Sequence, residues 1–171
     1  VVRSAAKLFA VRTYDGTSVD DLVSHLGVHR NSLYKTFGSK RGLYLTALKW
    51  TVEHQVAGLA ARIAETGGRA EGLQQVLADA VTGTDLDLLL LAAVERAPVD
   101  AEVARLVGEA FTALDRAVAT AAPAGGDDDA PTLPPAATAL LIGLRTRSRS
   151  GTADEDGIRA GAALAQHLGR S

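Results

Sequence analysis

The chain has no cysteine and no methionine among its 171 residues. Without thiols, disulfides and thiolate metal sites are excluded, and a reducing, cytoplasmic setting is the expectation. Without Met, an initiator is expected ahead of Val1, and the opening VVRSAAKLF is too short and too polar for a secretory signal. No apolar run approaches the roughly 18 residues that a spanning helix needs, so no membrane partner is expected. Aromatic residues are scarce and uneven. Six of the seven (Phe9, Tyr14, Tyr34, Phe37, Tyr44 and Trp50) fall in the first 50 residues, and only Phe111 lies beyond. An aromatic cage for a flat or cationic ligand is therefore poorly supplied in the later part of the chain.

Catalytic machinery is equally thin. The four histidines, at 25, 29, 54 and 167, are scattered, and Gly27 interrupts the helix between the two that are four apart. Neither a G-x-S-x-G nucleophile elbow nor a G-x-x-x-x-G-K-[ST] phosphate loop occurs. The Asp127-Asp128-Asp129 run lacks the alternating spacing and terminal Glu of a calcium loop and reads as a solvated acidic loop. No enzymatic activity, cofactor or metal is expected.

What is present is helical. Apolar residues make up 47% of the chain, enough to bury a core, and their spacing is helical throughout, with no segment of strand-like alternation. The expected fold is all-α with about nine helices. The spacing predicts a first helix carrying Val2, Ala5, Ala6 and Phe9 and ending near Arg12. A second starts at Ser18, capped by Ser18 with Asp21, and buries Val19, Leu22, Val23 and Leu26. Gly27 turns the chain into a third helix pinned by Leu33 and Phe37. Ser39 caps a long helix to about Thr66, with Leu43, Ala47, Trp50, His54, Ala57 and Ala61 along one strip. Further helices are expected near 70–82, 86–96 and 100–121, the last capped by Asp100. A loop follows at Pro123–Pro135, then helices near 134–148 and 153–168, with Thr152 and Glu155 as a second capping box.

The net charge of −2 conceals an asymmetry. Residues 1–50 hold eight Lys/Arg against three acids, a net of +5, and the remaining ten basic and seventeen acidic residues give −7. A basic head on an acidic body lets the head approach phosphates while the body stays off them. The segment SVDDLVSHLGVHRNSLYKTF, Ser18 to Phe37, has the form of a helix-turn-helix. A reading helix presents its N-terminal half to the major groove. Arg30 and Asn31 stand there, suited to guanine and adenine edges respectively. Ser32, Lys35 and Thr36 lie within reach of bases or phosphates. Tyr34 brings a hydroxyl to the backbone, and Thr17 and Ser18 are placed to donate to a phosphate on the other side. Lys40, at the start of the long helix, adds a cation to that helix's N-terminal amides.

This order of elements resembles the TetR family of bacterial transcriptional regulators. The resemblance rests on Ala5-Ala6-x-Leu8-Phe9, Thr17-Ser18-Val19 with Leu22, Gly27-Val28, Ser32-Leu33-Tyr34-x-x-Phe37, Ser39-Lys40 and Leu43. The segment Ala92–Pro98 also looks like ligand domains of the family. The resemblance implies a DNA-binding head over residues 1–45 and a helical ligand-binding and dimerisation domain over 46–171. Tyr34 and Lys40 become clamps on the DNA backbone. The implied partners are double-stranded DNA with a palindromic operator, a second copy of the chain and a small-molecule effector. A mostly apolar effector site would be lined by Trp50, His54, Gln74, Leu88, Leu91, Val107, Phe111 and Leu114. Ala139, Ile142, Gly143, Ala160, Ala163, Leu164 and His167, small or apolar at helical spacing, would form the dimer bundle. The expected function is repression relieved when the effector shifts the population toward a state with the long helix displaced. The alternative is a helical dimeric ligand-binding or interaction protein with a vestigial DNA-binding head.

Three residues depart from the family pattern. His29 stands where a Ser or Thr usually caps the reading helix, and contact with DNA is its other expected role. Thr13 replaces a glycine at the end of the first helix, and Gly42 stands where an acid is common.

Overall fold

The computed structural model describes residues 1–67, 69–121, 133–151 and Arg159. Those residues are helical, with no strand among them. The helices are α1 (Val2–Arg12), α2 (Val19–Leu26), α3 (Arg30–Phe37), α4 (Lys40–Thr51), α5 (Ala57–Glu65), α6 (Ala70–Thr82), α7 (Asp87–Leu91), α8 (Ala101–Ala121) and α9 (Leu133–Arg149). A π-helical turn, Val52–Val56, joins α4 to α5 without a break, and a second, Ala92–Arg96, extends α7. Counted as continuous rods these are eight helices among the described residues. The ninth expected helix, near 153–168, lies outside them except for Arg159, its Thr152–Glu155 cap lies outside them entirely, and so does most of the expected 123–135 loop. The end of that loop is helical instead. Pro134 and Pro135 sit in the first turn of α9, where a missing N–H costs nothing.

Local chemistry accounts for the boundaries. Ser18 Oγ accepts the Asp21 N–H at 3.0 Å, and the Asp21 carboxylate accepts the Ser18 N–H at 2.9 Å, closing the expected capping box. Gly27 ends α2 at φ 63°, a left-handed conformation that glycine adopts without penalty. Ser39 Oγ caps α4 by accepting the Gly42 N–H at 3.0 Å. Gly42 is held by contact rather than by dihedral: a Cβ there would lie 2.0 Å from the Phe37 carbonyl oxygen. Asp100 caps α8 through the N–H groups of Glu102 and Val103, at 3.2 and 3.4 Å.

The long helix departs from the expected strip. Its buried positions are Leu43, Tyr44, Ala47, Leu48 and Thr51, then Val56, Leu59 and Ile63. The step from Thr51 to Val56 is five residues, where an α-helix would step three or four. The π-helical turn inserts one residue there and resets the phase of the buried face. His54 and Ala57 are exposed, and Trp50, which precedes the turn on the flank of the buried face, is half-buried.

The chain forms two compact units, Val1–Gln55 with Asp87–Ala110, and Val56–Leu86 with the described part of Phe111–Ser171. In the first unit α1 packs on α2, α4 and α7, α3 packs on α2 and α4, and α4 packs on α7. Its centre is aromatic. The Tyr44 ring meets Phe9 edge-on at 5.0 Å and Tyr14 at 4.9 Å between centroids, pairs that each add about 1 kcal/mol beyond simple burial. In the second unit α6 packs on α5 and α9, and the buried Arg145 of α9 donates to the Val81 carbonyl in the last turn of α6 at 3.0 Å. Compactness thus groups Asp87–Ala110 with the head, whereas the expected division at residue 45 concerns role rather than packing.

Candidate nucleic-acid interface

Helix α3, the expected reading helix, is anchored from one side only. Leu33 is buried and Phe37 half-buried, while His29, Arg30, Asn31, Ser32, Tyr34, Lys35 and Thr36 are exposed. At 100° per residue, Asn31, Ser32 and Lys35 stand opposite the Leu33–Phe37 face. Arg30 and Tyr34 lie on one flank, where the Arg30 guanidinium pairs with the Asp20 carboxylate of α2. That hydrogen bond and the attraction of Asp20 raise the guanidinium's affinity for its proton. A second exposed pair, Arg12 to Asp21 at 2.8 Å, ties the end of α1 to the start of α2. Hydrogen bonds from Ser18, with help from Arg12, hold the Asp21 carboxyl below its usual range. Pairs this exposed contribute little stability but fix where each charge sits.

The remaining expected DNA contacts have definite places. Ser18 is exposed, its hydroxyl shared with Asp21. Thr17 is fully buried, and its hydroxyl donates to the Thr13 carbonyl at 2.6 Å. Lys40 is half-buried, its ammonium 4.2 Å from the centroid of the Tyr14 ring. His29 occupies the cap position of α3 in an extended conformation, with no hydrogen bond from its side chain to the helix. Thr13 ends α1 at φ 65° and ψ 172°, a region essentially reserved for glycine.

Sequence reasoning passed over the groups that hold the head from outside it. Glu95 accepts the backbone N–H of Tyr14 and of Asp15, each at 2.8 Å. Arg96 places its guanidinium 4.6 Å from the Tyr14 ring centroid. Arg41 donates to both oxygens of Asp100 at 2.7 and 2.8 Å, and this fork holds the Asp100 carboxyl down to about 2. Two signals pointed there: the family-like Ala92–Pro98 segment and the capping role of Asp100.

The expected effector residues are distributed over both units. Trp50, His54, Leu88, Leu91 and Val107 belong to the first, and Gln74, Phe111 and Leu114 to the second. Leu88, Val107 and Leu114 are buried, Trp50, Gln74, Leu91 and Phe111 half-buried and His54 exposed. Trp50 and His54 stack at 4.9 Å and 15°, and His54 Nδ1 lies 2.9 Å from the Trp50 carbonyl. Of the expected dimer residues, Ala139 and Gly143 are exposed on α9 and Ile142 is half-buried. Ala160, Ala163, Leu164 and His167 lie outside the described residues. No group of three metal-ligating side chains occurs among the described residues, and none of their helices is long and apolar enough to cross a membrane.

The head and the fold both have known counterparts. The family described as bacterial regulatory proteins, tetR family, matches residues 1–47. The uncharacterized HTH-type transcriptional regulator YezE of Bacillus subtilis is 34% identical over 111 residues, 61% of this chain and 57% of its own length. The negative transcriptional regulator IcaR of the icaADBC biofilm operon in Staphylococcus aureus is 35% identical over 49 residues, 29% of this chain and 26% of its own. The chain thus spans little more than half the length of the first of these relatives and about a quarter of the second. A TetR transcriptional regulator from Legionella pneumophila superposes with a TM-score of 0.79 over 98% of this chain and 94% of its own. At 15% identity that likeness shows the fold alone. Each of these proteins is described as a transcriptional regulator.

Proposed function

We propose, from the match of residues 1–47 to the tetR family of bacterial regulatory proteins, that this chain is a cytoplasmic transcriptional regulator with a DNA-binding head. It binds a palindromic operator as a homodimer and acts as a repressor that a small, mostly apolar effector releases. The observation that carries the reading is the outward face of α3. It presents Asn31, Ser32 and Lys35 together, on a helix braced by Leu33 from behind and by the capped starts of α2 and α4 on either side.

Residues 1–45 make the DNA contacts and 46–171 carry effector binding and dimerisation. Asn31 reads an adenine edge. Lys35 and Tyr34 hold phosphates, Lys40 adds a cation beside the amides of α4, and Ser32, Thr36 and Ser18 supply hydroxyls. Arg30 reaches a guanine or a phosphate by exchanging Asp20 for it. His29, uncommitted to capping α3, faces the groove from the same end. Thr17 acts from within by fixing the turn that precedes α2. Repression rather than activation is favoured by IcaR being a negative regulator. The exposed Ala139 and Gly143, with Ile142, support a dimer through α9 and the residues after it. The effector set of Trp50, His54, Gln74, Leu88, Leu91, Val107, Phe111 and Leu114 is dominated by apolar groups, which supports an apolar ligand.

The test is selection of duplexes from a random DNA library by the full chain, followed by a mobility shift. Recovery of an inverted repeat with half-sites about one helical turn apart, roughly 34–36 Å, supports the reading. Recovery of no sequence at all overturns it in favour of a vestigial head.

A further inference from the structure

The turn after α1 is strained and yet fully served. Thr13 pays for its positive φ, and the two amides that follow it, those of Tyr14 and Asp15, both donate to the carboxylate of Glu95. A charged acceptor taking two N–H groups makes bonds about twice as strong as neutral ones. Glu95 lies some eighty residues further along, in the π-helical turn Ala92–Arg96. Its neighbours reinforce it. Arg96 lies against the Tyr14 ring, and Asp100 receives the Arg41 fork from the first turn of α4. One six-residue stretch therefore grips the head at two places, the end of α1 and the start of α4.

The first grip leads on to the reading helix through a short series of contacts. The Thr17 N–H returns to the Tyr14 carbonyl at 3.2 Å, and its hydroxyl to the Thr13 carbonyl. Ser18 then caps α2, and Asp20 of α2 holds Arg30 of α3. We infer that Glu95 is a positioning residue for DNA reading: by binding both amides of the Thr13–Asp15 turn it sets the register at which α2, and through it α3, leaves α1. The inference rests on the DNA-binding reading above. It also makes Ala92–Asp100 a route by which the rest of the chain acts on the head, separate from the long helix.

Electrostatics alone gives the opposite sign. Removing a carboxylate beside a basic head should tighten binding to a polyanion or leave it unchanged. In the full chain, Glu95→Gln, which keeps the shape and one acceptor oxygen, should instead weaken binding to a duplex selected by the wild type by about tenfold. Glu95→Ala should weaken it further. Amide exchange should accelerate at Tyr14, Asp15 and through residues 18–37, while Ala70–Thr82 exchanges as before. Equal or tighter DNA binding, or unchanged exchange over 18–37, overturns the inference. If the wild type selects no duplex, the DNA-binding reading fails on its own, and the exchange comparison still decides whether Glu95 orders the head. If Glu95→Ala does not fold, Glu95→Gln carries both measurements.

Discussion

At the scale of single residues, the head is built around positions where the chemically obvious residue is absent. Thr13 is the clearest. A β-branched side chain at φ 65° and ψ 172° costs on the order of 1–3 kcal/mol, and its compensation is local: Thr13 Oγ1 accepts the Gly16 N–H at 3.2 Å. Thr13→Gly removes the strain and that hydrogen bond, and it frees the unfolded chain by roughly 0.5–1 kcal/mol. The net expectation, once the lost hydrogen bond is subtracted as well, is a small gain of roughly 0–1 kcal/mol, read as a slightly higher urea midpoint at unchanged slope. A lower midpoint would mean that the hydroxyl matters more than the dihedral. Tyr44 is a second such position. Its ring is the largest buried side chain of the head, its hydroxyl has no hydrogen-bond partner among the described residues, and burial pushes the phenol's pKa up. The ring packs against Phe9 and Tyr14, and no described residue hydrogen-bonds the oxygen.

At the scale of elements, the joints are governed by caps and forks whose behaviour with pH follows from their chemistry. Asp100 both caps α8 and receives Arg41 of α4. Its carboxyl titrates at about 2 in the folded chain, against an ordinary value of 3.8. A depressed folded-state pKa gives stability that is present above the unfolded value and lost as pH falls toward the folded one. Asp100→Asn keeps a capping oxygen but not the charge. The stability difference between wild type and this variant should be constant above about pH 5 and shrink between 3.8 and about 2, measured by denaturation across that range. A difference that does not shrink would assign the loss to packing. Element boundaries were largely legible in the sequence, because Ser18, Gly27, Ser39 and Asp100 announce them with side chains of known habit. The two π-helical turns were not. No residue type marks an inserted position in a helix, so a strip drawn at regular helical spacing places Ala57 inside when it is exposed.

At the scale of the whole molecule, the charge is divided, +5 over residues 1–50 and −7 over the rest, a division that under the proposed function turns one part of the chain toward phosphates. If Lys35, exposed opposite the core of α3, neutralises a phosphate, Lys35→Ala should lower binding to all duplexes alike. It should also flatten the log–log salt dependence by about one, measured between roughly 50 and 200 mM salt. An unchanged slope would remove Lys35 from the phosphate contacts. The outward face of α3 was legible because its residues lie within eight positions of one another. The Glu95 grip was not, since it joins Tyr14 and Asp15 to a carboxylate some eighty positions away, and only tertiary structure brings such residues together. The five-residue step from Thr51 to Val56 has a consequence for how this chain is compared with others. Any relative whose helix is α throughout is one residue shorter there, so their alignment carries a single gap inside a helix, where gaps are normally avoided. Placed within Val52–Val56, that gap keeps Leu48 and Leu59 each opposite its true counterpart. Placed in a loop instead, it misassigns every buried position in between.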